Sequence, residues 1–590
     1  MPQTVKEEAV LKGINASAGI CIGKAYLVDR SGVDIVERYS IAEKNVKNEV
    51  KRFKSAVQSA KAALRAIIEN SLHDVQKAAI LETQVALLGD KMLYGRTVET
   101  IEREHVNAEW ALETVVAKIR TAFQDMPDAY MRERVTDISH VSDLVMRGLT
   151  GAETQDIGRI DKRVILVAHD LSPADTSQIN LERVKGFITN LGGKTSHTGI
   201  IAQTLEIPAV VGLEIATQKI RTDDLIIVDG NTGTVVVNPS EKTLLDYEEL
   251  RTTYERYKAV ITRESHLKTE TTDHRHFDVL ANIEFPEEVV AAINYGAAGI
   301  GLYRTEFQYL GRSVFPSENE LFENYRDVVE VMAPRPVIFR TLDINGDKAI
   351  HPAAGHDEQN PALGLRAIRY CLKRPDVFKT QLRAILRAAA FGNVRLMFPL
   401  ISAYFEIQLA KRLLDEAAAS LEKDGLPHKR DIPVGIMIEV PAAVVMADVL
   451  AQEVDFFSIG TNDLIQYGLA IDRGNKQVAH MYQPLDPAVI RMIKQTADAA
   501  RANRIPVHMC GEMAGRPLHV PLLLGLGLDE LSMHPQAIPR VKHMIRSISL
   551  ADSRKMVKRI MGLRTAREVF EVLRDSFGEL AANHRRDPQA

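Results

Sequence analysis

His197 is the residue whose setting first suggests chemistry. It lies in Gly192-Gly193-Lys194-Thr195-Ser196-His197-Thr198-Gly199-Ile200-Ile201-Ala202. The two glycines let the backbone turn tightly and expose its N–H groups. Thr195 reads as an N-cap, with Ile200, Ile201 and Leu205 as the buried face of the helix it starts. His197 then falls in the first helical turn, where free N–H donors and positive potential disfavour imidazolium. A neutral, nucleophilic ring nitrogen is left, and an anion attached to it is stabilised. A phosphoryl group on His197 suits this position.

A second set of polar residues follows apolar runs in the other half of the chain. One run ends in Tyr303-Arg304-Thr305-Glu306, another in Arg340-Thr341-Leu342-Asp343, and a third in Ile438-Glu439. A fourth ends in Gly460-Thr461-Asn462-Asp463, with Arg473 soon after, and a fifth in His508-Met509-Cys510-Gly511-Glu512. Arginine forks pair with phosphate and carboxylate bidentately. Glu439 and Asp463 are hard oxygen ligands of the kind Mg²⁺ takes beside substrate phosphates and water. The inventory fits a small, highly anionic phosphorylated acid.

These residues need elements to hold them. A chain of 590 residues is too long for one core, so about three domains are expected. Apolar content of 45% and charged content of 26% are those of a soluble globular protein, and a net charge of -4 gives no case for nucleic acid or a membrane surface. Cys21, Cys371 and Cys510 form no disulfide framework or metal spacing, which fits a reduced cytoplasmic setting. The opening residues carry acids and lack an apolar h-region, so no signal peptide is expected. No apolar run approaches the ~18 residues of a membrane span, and no membrane insertion is expected.

Along the chain, residues 10–28 read as a glycine-punctuated strand pair. A helical block follows over about 40–149, its first helix carrying Val46, Val50, Phe53, Val57, Ala60, Leu64 and Ile67 on one seam. A second helix covers about 73–89, a third carries Leu112, Val116, Ile119 and Phe123, and a fourth Met131, Val135, Ile138, Val145 and Leu149, suggesting a four-helix bundle. Short apolar strands at 164–167, 186–188, 209–211, 225–228 and 234–237 make an α/β unit around His197. Residues 241–265 read as one connecting helix. Eight strands alternating with helices, at 278–283, 299–304, 336–342, 394–400, 433–439, 455–460, 505–510 and 530–533, predict a (β/α)₈ barrel with the polar residues at its C-terminal mouth. Thr565-Ala566-Arg567-Glu568 reads as a capping box before the last helix, and the tail from 583 as polar and unstructured.

The histidine string resembles the phosphohistidine motif of phosphoenolpyruvate-utilising enzymes, and Thr198 after the histidine is closer to the Enzyme I family of the sugar phosphotransferase system than to pyruvate phosphate dikinase. The resemblance runs end to end. It includes Gly13-Ile14-Asn15-Ala16-Ser17-Ala18-Gly19-Ile20, with Ala18 where proline is usual. It also includes Tyr130-Met131-Arg132-Glu133-Arg134-Val135-Thr136-Asp137-Ile138, residues 299–307, 340–343, 360–366 and 460–467, and Cys510-Gly511-Glu512-Met513-Ala514-Gly515.

Membership implies a multidomain α/β fold: a swivelling α/β phosphohistidine domain (1–30 and 150–240) with an inserted four-helix, partner-binding domain (31–149). A helical linker (241–268), a (β/α)₈ barrel for phosphoenolpyruvate and dimerisation (269–582) and a tail (583–590) complete it. The resemblance further implies that Arg304, Arg340, Arg473 and Asn462 hold phosphoenolpyruvate, with Arg366 and Asp463 at the same site, and that Glu439 and Asp463 bind Mg²⁺. His197 would accept the phosphoryl group, and Cys510 would protonate the enolate to give pyruvate. The implied partner is the phosphocarrier protein HPr, and the implied assembly a homodimer through the barrel. Ala362 and Leu365 replace larger residues usual in their loop. Asp90-Lys91-Met92 stands where well-known members have an acid-rich docking surface. The alternative reading is a regulatory, nitrogen-type phosphorelay enzyme acting on a different HPr-like carrier. The sequence opens on the Enzyme I motif, so a preceding sensory domain is not expected, and no glycine-rich ATP loop supports a dikinase.

Overall fold

The computed structural model describes residues 8–581, apart from 29–37, 71–80, 82–83, 86, 125–128, 151–159, 172–174, 176–178, 181, 194–197, 200–201, 203–204, 206, 311, 313, 345–359, 474 and 476. For 67, 69–70, 122–124 and 129–137 it describes the backbone alone. The chain divides into two compact units between Arg256 and Tyr257.

The first unit is built on an eight-stranded sheet. Its strands are β1 (Ala9–Lys12), β2 (Ile14–Ser17), β3 (Ile20–Leu27), β4 (Val164–Ala168), β5 (Val184–Thr189), β6 (Ala209–Val211), β7 (Leu225–Asp229) and β8 (Thr234–Val237). Their order is β1-β8-β7-β3-β4-β5-β6-β2, with β3 to β6 parallel. The opening segment joins strands that follow the helical block, as expected, but forms three strands instead of two. Gly19, at φ 125°, makes the second break, a backbone angle that side-chain-bearing residues avoid. The continuous apolar runs of β4 and β5 follow from burial on both faces. Ile165, Val167 and Ile188 pack with Val210, Ile226 and Val228 on one side, and Val164, Leu166 and Phe187 with Ala202 and Leu205 on the other.

The block between β3 and β4 is helical, with helices Val46–Asn70, Arg96–Glu104, Ala108–Gln124 and Ala129–Thr150 and helical residues at Leu81, Gln84, Val85 and Leu87. Val50, Phe53, Val57, Ala60 and Leu64 are buried along the expected seam against Leu112, Ile119, Val141 and Val145. The helix Arg96–Glu104 is one more than the periodicity indicated. Its buried positions include Thr97 and Thr100, whose hydroxyls donate to the Leu93 and Arg96 carbonyls at 2.7 and 2.8 Å. Back-bonded threonines bury without an apolar side chain to mark them. The expected helix over 73–89 lies largely outside the described residues, as do the side chains of Ile67, Phe123, Met131, Arg134 and Val135.

The helix Glu241–Glu264 divides between the units. Leu244, Tyr247 and Leu250 pack on Ile20, Ile227 and Val236 of the first. Ile261 is buried, and Glu264 pairs with Arg546 at 3.1 Å in the second.

The second unit is a closed parallel barrel of β9 (Asp278–Ile283), β10 (Ile300–Arg304), β11 (Val337–Arg340), β12 (Val394–Phe398), β13 (Val434–Ile438), β14 (Phe456–Ile459), β15 (Val507–Met509) and β16 (Glu530–Met533). All eight expected strands are present. Leu302, Ile338, Met397, Met437, Phe456 and Cys510 form one buried cluster, contributed by six different strands or their ends. Thr565 and Glu568 form the expected box: the Glu568 N–H donates to Thr565 Oγ1 at 3.2 Å, and the Thr565 N–H to Glu568 Oε2 at 2.9 Å. Among the described residues no helix is long and apolar enough to cross a membrane.

Candidate active site

Strand register sets the barrel mouth. Ile283 of β9 pairs with Tyr303 of β10, and Arg304 of β10 with Arg340 of β11. Two guanidiniums are thereby placed side by side, an arrangement that needs anions. Glu306 supplies one: its Oε1 accepts from Arg304 Nε at 3.1 Å and from Arg340 Nη2. Arg340 is almost fully buried and also pairs with Asp343 at 3.3 Å. Arg366 donates Nε and Nη2 to Asp343 at 3.0–3.2 Å, reaches Asp463 Oδ2 at 3.3 Å, and gives Nη1 to the Tyr467 hydroxyl at 3.1 Å. Tyr467 in turn donates to the Ala362 carbonyl at 2.5 Å. That contact uses backbone, so the small side chain at 362 leaves it intact. Arg473 is the most open of the four, its side chain 47% exposed, at 3.7 Å from Asp463.

The carboxylates are held as deliberately. Glu439 is buried, and its Oε1 accepts from the Leu400 N–H at 2.6 Å. Burial, with Asp463 and Asp343 nearby, pushes its carboxyl up to about 8 against the pull of Arg340 and Arg366. A Cβ at Gly460 would stand 2.7 Å from Glu439 Oε2, so glycine is required beside it. Glu439 and Asp463 thus bring two carboxyl groups close together, and a cation bound between them would favour the ionised form of both. Among the described residues no group of three or more protein ligands gathers around a metal position. Two carboxylates with the remaining positions left to substrate oxygens and water is a donor set that fits Mg²⁺.

Asn462 donates to Glu512 Oε1 at 3.1 Å and accepts from the Glu512 N–H at 3.0 Å, which fixes its amide at the rim. Cys510 is buried, and Ser458 Oγ donates to its Sγ at 3.3 Å. Burial pushes the thiol up to about 11, opposed by Ser458 and Arg340, so at neutral pH it carries its proton. Arg340 Nε and Thr461 Oγ1 are buried with no hydrogen-bond partner among the described residues, donors that a phosphate or carboxylate could engage.

His197 and its cap Thr195 lie outside the described residues, as do Ile200 and Ile201. Thr198 is described: its hydroxyl donates to Asp170 Oδ1 at 3.2 Å and to the Leu171 carbonyl at 3.3 Å. Asp170 Oδ2 lies 3.4 Å from His140 Nε2 of the helical block. Burial opposes ionisation of Asp170, but the bond and charge of His140, with the Leu171 N–H and Thr198, hold its carboxyl below the ordinary range.

Eight of the nine expected site residues are therefore described, and all eight lie at barrel strand ends or in the segments that follow them, Asn462 and Asp463 in the first turn of the helix Thr461–Gly468. Sequence reasoning missed Glu284, which bonds Arg304, together with Asp170 and the thiol's partner Ser458. It also gave no role to Glu306 and Asp343. Glu284 directly follows an expected strand, and that position was signal enough to include it.

A chain of this build matches three family models: PEP-utilising enzyme, N-terminal, over residues 12–134; PEP-utilising enzyme, mobile domain, over 160–233; and PEP-utilising enzyme, PEP-binding domain, over 258–550. Curated relatives named phosphoenolpyruvate-protein phosphotransferase, from Bacillus sp. (strain S) and Geobacillus stearothermophilus, are each 44% identical over 97% of this chain and 98% of their own. A solution structure described as Enzyme I (nEIt) is 37% identical, covers 42% of this chain and 99% of its own, and has a TM-score of 0.37. The chain is a phosphoenolpyruvate-utilising enzyme by its three domains, and it belongs to the phosphoenolpyruvate-protein phosphotransferase family.

Proposed function

We propose that the chain moves the phosphoryl group of phosphoenolpyruvate to His197, releasing pyruvate, and then to a histidine of the phosphocarrier protein HPr, the first step of sugar phosphotransferase transport. The observation that carries this reading is the barrel mouth, where four arginines and the pair Glu439–Asp463 surround the approach to a protonated, buried thiol. The regulatory, nitrogen-type reading has no observation in its favour.

Phosphoryl transfer needs positioning and neutralisation of charge more than covalent chemistry. Arg304, Arg340 and Arg473 would bind phosphate and carboxylate oxygens, with Arg366 holding Asp463 in place and Asn462 at the rim. Glu439 and Asp463 would hold Mg²⁺, which when bound neutralises phosphoryl and enolate oxygens. His197 Nε2 or Nδ1 attacks phosphorus, the bridging P–O bond breaks, and its electron pair stays on the enolate. The Cys510 S–H would then give its proton to the enolate's terminal carbon, and the thiolate, beside Arg340 and Ser458, recovers a proton from water.

The domain limits 1–30 with 150–240, 31–149, 241–268 and 269–582 are proposed with this mechanism, as are a swivel of the histidine domain, a homodimer through the barrel and a cytoplasmic location. Incubation with labelled phosphoenolpyruvate, Mg²⁺ and candidate carriers tests the reading. Label on His197 that passes to HPr, with one pyruvate per phosphoryl group, is expected; no label in the chain would overturn it.

A further inference from the structure

Glu284 is a mouth carboxylate to which this mechanism gives no role, and unlike Glu306 and Asp343, which each pair with two arginines, it pairs with one. It directly follows β9, and the β9–β10 register sets it beside Arg304, one step beyond the Ile283–Tyr303 pair. Its Oε1 accepts from Arg304 Nη1 at 2.5 Å, while Arg304 Nε is committed to Glu306 at 3.1 Å. The Arg304 guanidinium also lies 4.8 Å from the Phe307 ring centre. Its carboxylate contacts thus enter from two sides, and an incoming phosphate or carboxylate oxygen must share or replace one of them.

The two contacts are not equal. Glu306 is buried and bridges Arg304 to Arg340, so its loss would remove an anion that the two adjacent guanidiniums share, leaving Glu284 on Arg304 and Asp343 on Arg340. Glu284 is partly exposed, touches Arg304 alone of the four arginines among the described ion pairs, and faces two further carboxylates, Glu288 and Glu306. Burial raises its carboxyl above the ordinary range, and Glu288 and Glu306 add to this against the pull of Arg304. Glu284 is the weaker and more easily displaced of Arg304's anions.

Resting on the phosphoenolpyruvate reading of the mouth, we propose that Glu284 is an affinity-setting residue: an internal carboxylate that competes with the anionic substrate for Arg304 and weakens its binding. Substrate that takes Arg304 Nη1 leaves Glu284 facing only like charge from Glu288 and Glu306, a penalty felt in the bound ground state. The residue thereby opposes saturation by, and retention of, small anions at the mouth. The opposite role is a positioning one, in which Glu284 orients Arg304 and its removal loosens the substrate. The two roles differ in sign.

The test is calorimetric titration of phosphoenolpyruvate, with Mg²⁺, into full-length His197→Ala protein, which binds without turnover. Adding Glu284→Gln should lower Kd about fivefold, the size of one partly exposed ion pair. In the chain with His197 intact the same substitution should lower KM by a similar factor without raising kcat. Glu284→Asp, which keeps the charge, should hold Kd near its starting value. A Kd that is unchanged or raised by Glu284→Gln overturns the proposal, and tightening by Glu284→Asp as large as by Glu284→Gln assigns the effect to shape and overturns it too. If the His197→Ala chain with Glu284 intact binds no phosphoenolpyruvate, the functional reading of the mouth has failed instead.

Discussion

The barrel mouth and the surroundings of Thr198 are built on different scales. At the mouth, four guanidiniums and five carboxylates (Glu284, Glu306, Asp343, Glu439, Asp463) interlock through bonds that span strands distant in sequence, with Arg340, Glu306, Glu439 and Asp463 buried. Beside Thr198, among the described residues, one carboxylate, Asp170, takes one hydroxyl and one imidazole. A site that must bind a compact, highly charged acid needs donors fixed in advance, because reorganising them during the reaction would raise the barrel's barrier. A site that only presents one nitrogen to successive partners needs its helix start anchored and little more. The difference predicts that damage to the mouth abolishes one half-reaction, whereas damage near Thr198 weakens both modestly.

The largest effect should come from Asp463→Ala. It removes a proposed metal ligand and one anchor of Arg366 and Arg473, while Arg366 keeps Asp343 at 3.0 Å. Phosphorylation from phosphoenolpyruvate should fall about 10³-fold or more. A fragment of residues 1–262, which lacks the mouth, should still exchange phosphate with a phosphorylated carrier. Radiolabel assays of both steps check the division, and a phosphoenolpyruvate-competent fragment would break it.

Cys510→Ala should slow pyruvate formation about 10²-fold, the usual yield of one general acid, and leave exchange with the carrier unchanged. The Sγ–Ser458 contact sharpens this: Ser458→Ala, which keeps the thiol and loses its donor, should have a smaller effect on the same step. Single-turnover measurement of pyruvate release separates the two variants.

Much of this division was legible before the structure. Apolar runs bounded by turn residues located all eight barrel strands, and the polar residue after each run located Arg304, Arg340, Glu439, Asp463 and Cys510. What spacing could not show was who partners whom. Arg366 meets Asp463 across 97 residues and Thr198 meets Asp170 across 28, contacts set by strand register and loop packing, not by local periodicity. Glu284 does not stand out in the sequence because a lone glutamate after an apolar run reads as ordinary surface charge. The helix Arg96–Glu104 was missed because its buried Thr97 and Thr100 do not announce an apolar face.

The barrel's interior makes it the acid-sensitive unit. His508 stacks on Phe456 with ring centres 5.2 Å apart, and burial, with Arg395 nearby, pushes it down to about 3; burial with Arg516 does the same to His519. Both are depressed below the unfolded value of about 6.5. Between these values the unfolded chain binds more protons, so the contribution of these two histidines to barrel stability should be complete above about pH 6.5 and fall as pH drops toward 3. Each histidine contributes up to about 1.4 kcal/mol per pH unit in that window. Urea unfolding at pH 7 and pH 5, followed by a barrel-specific signal, should show His508→Gln flattening the slope by about one proton; an unchanged slope would remove His508 from the account.

The smallest effect separates the two regions most cleanly. Thr198→Val preserves shape at a buried position and deletes the hydroxyl that ties the residue after His197 to Asp170 and the Leu171 carbonyl. One neutral-to-charged hydrogen bond is worth about 1.5–3 kcal/mol, and Asp170 keeps His140 and the Leu171 N–H, so the unit should remain folded. A looser helix start acts on His197 whichever partner it meets. Transfer from phosphoenolpyruvate and exchange with the carrier should therefore slow together, about fivefold each. Binding of phosphoenolpyruvate should be unchanged, because Thr198 is not among its proposed ligands. Equal slowing with an unaltered Kd supports separate construction of the two sites; a Kd that moved with Thr198 would mean that the histidine region also shapes the mouth.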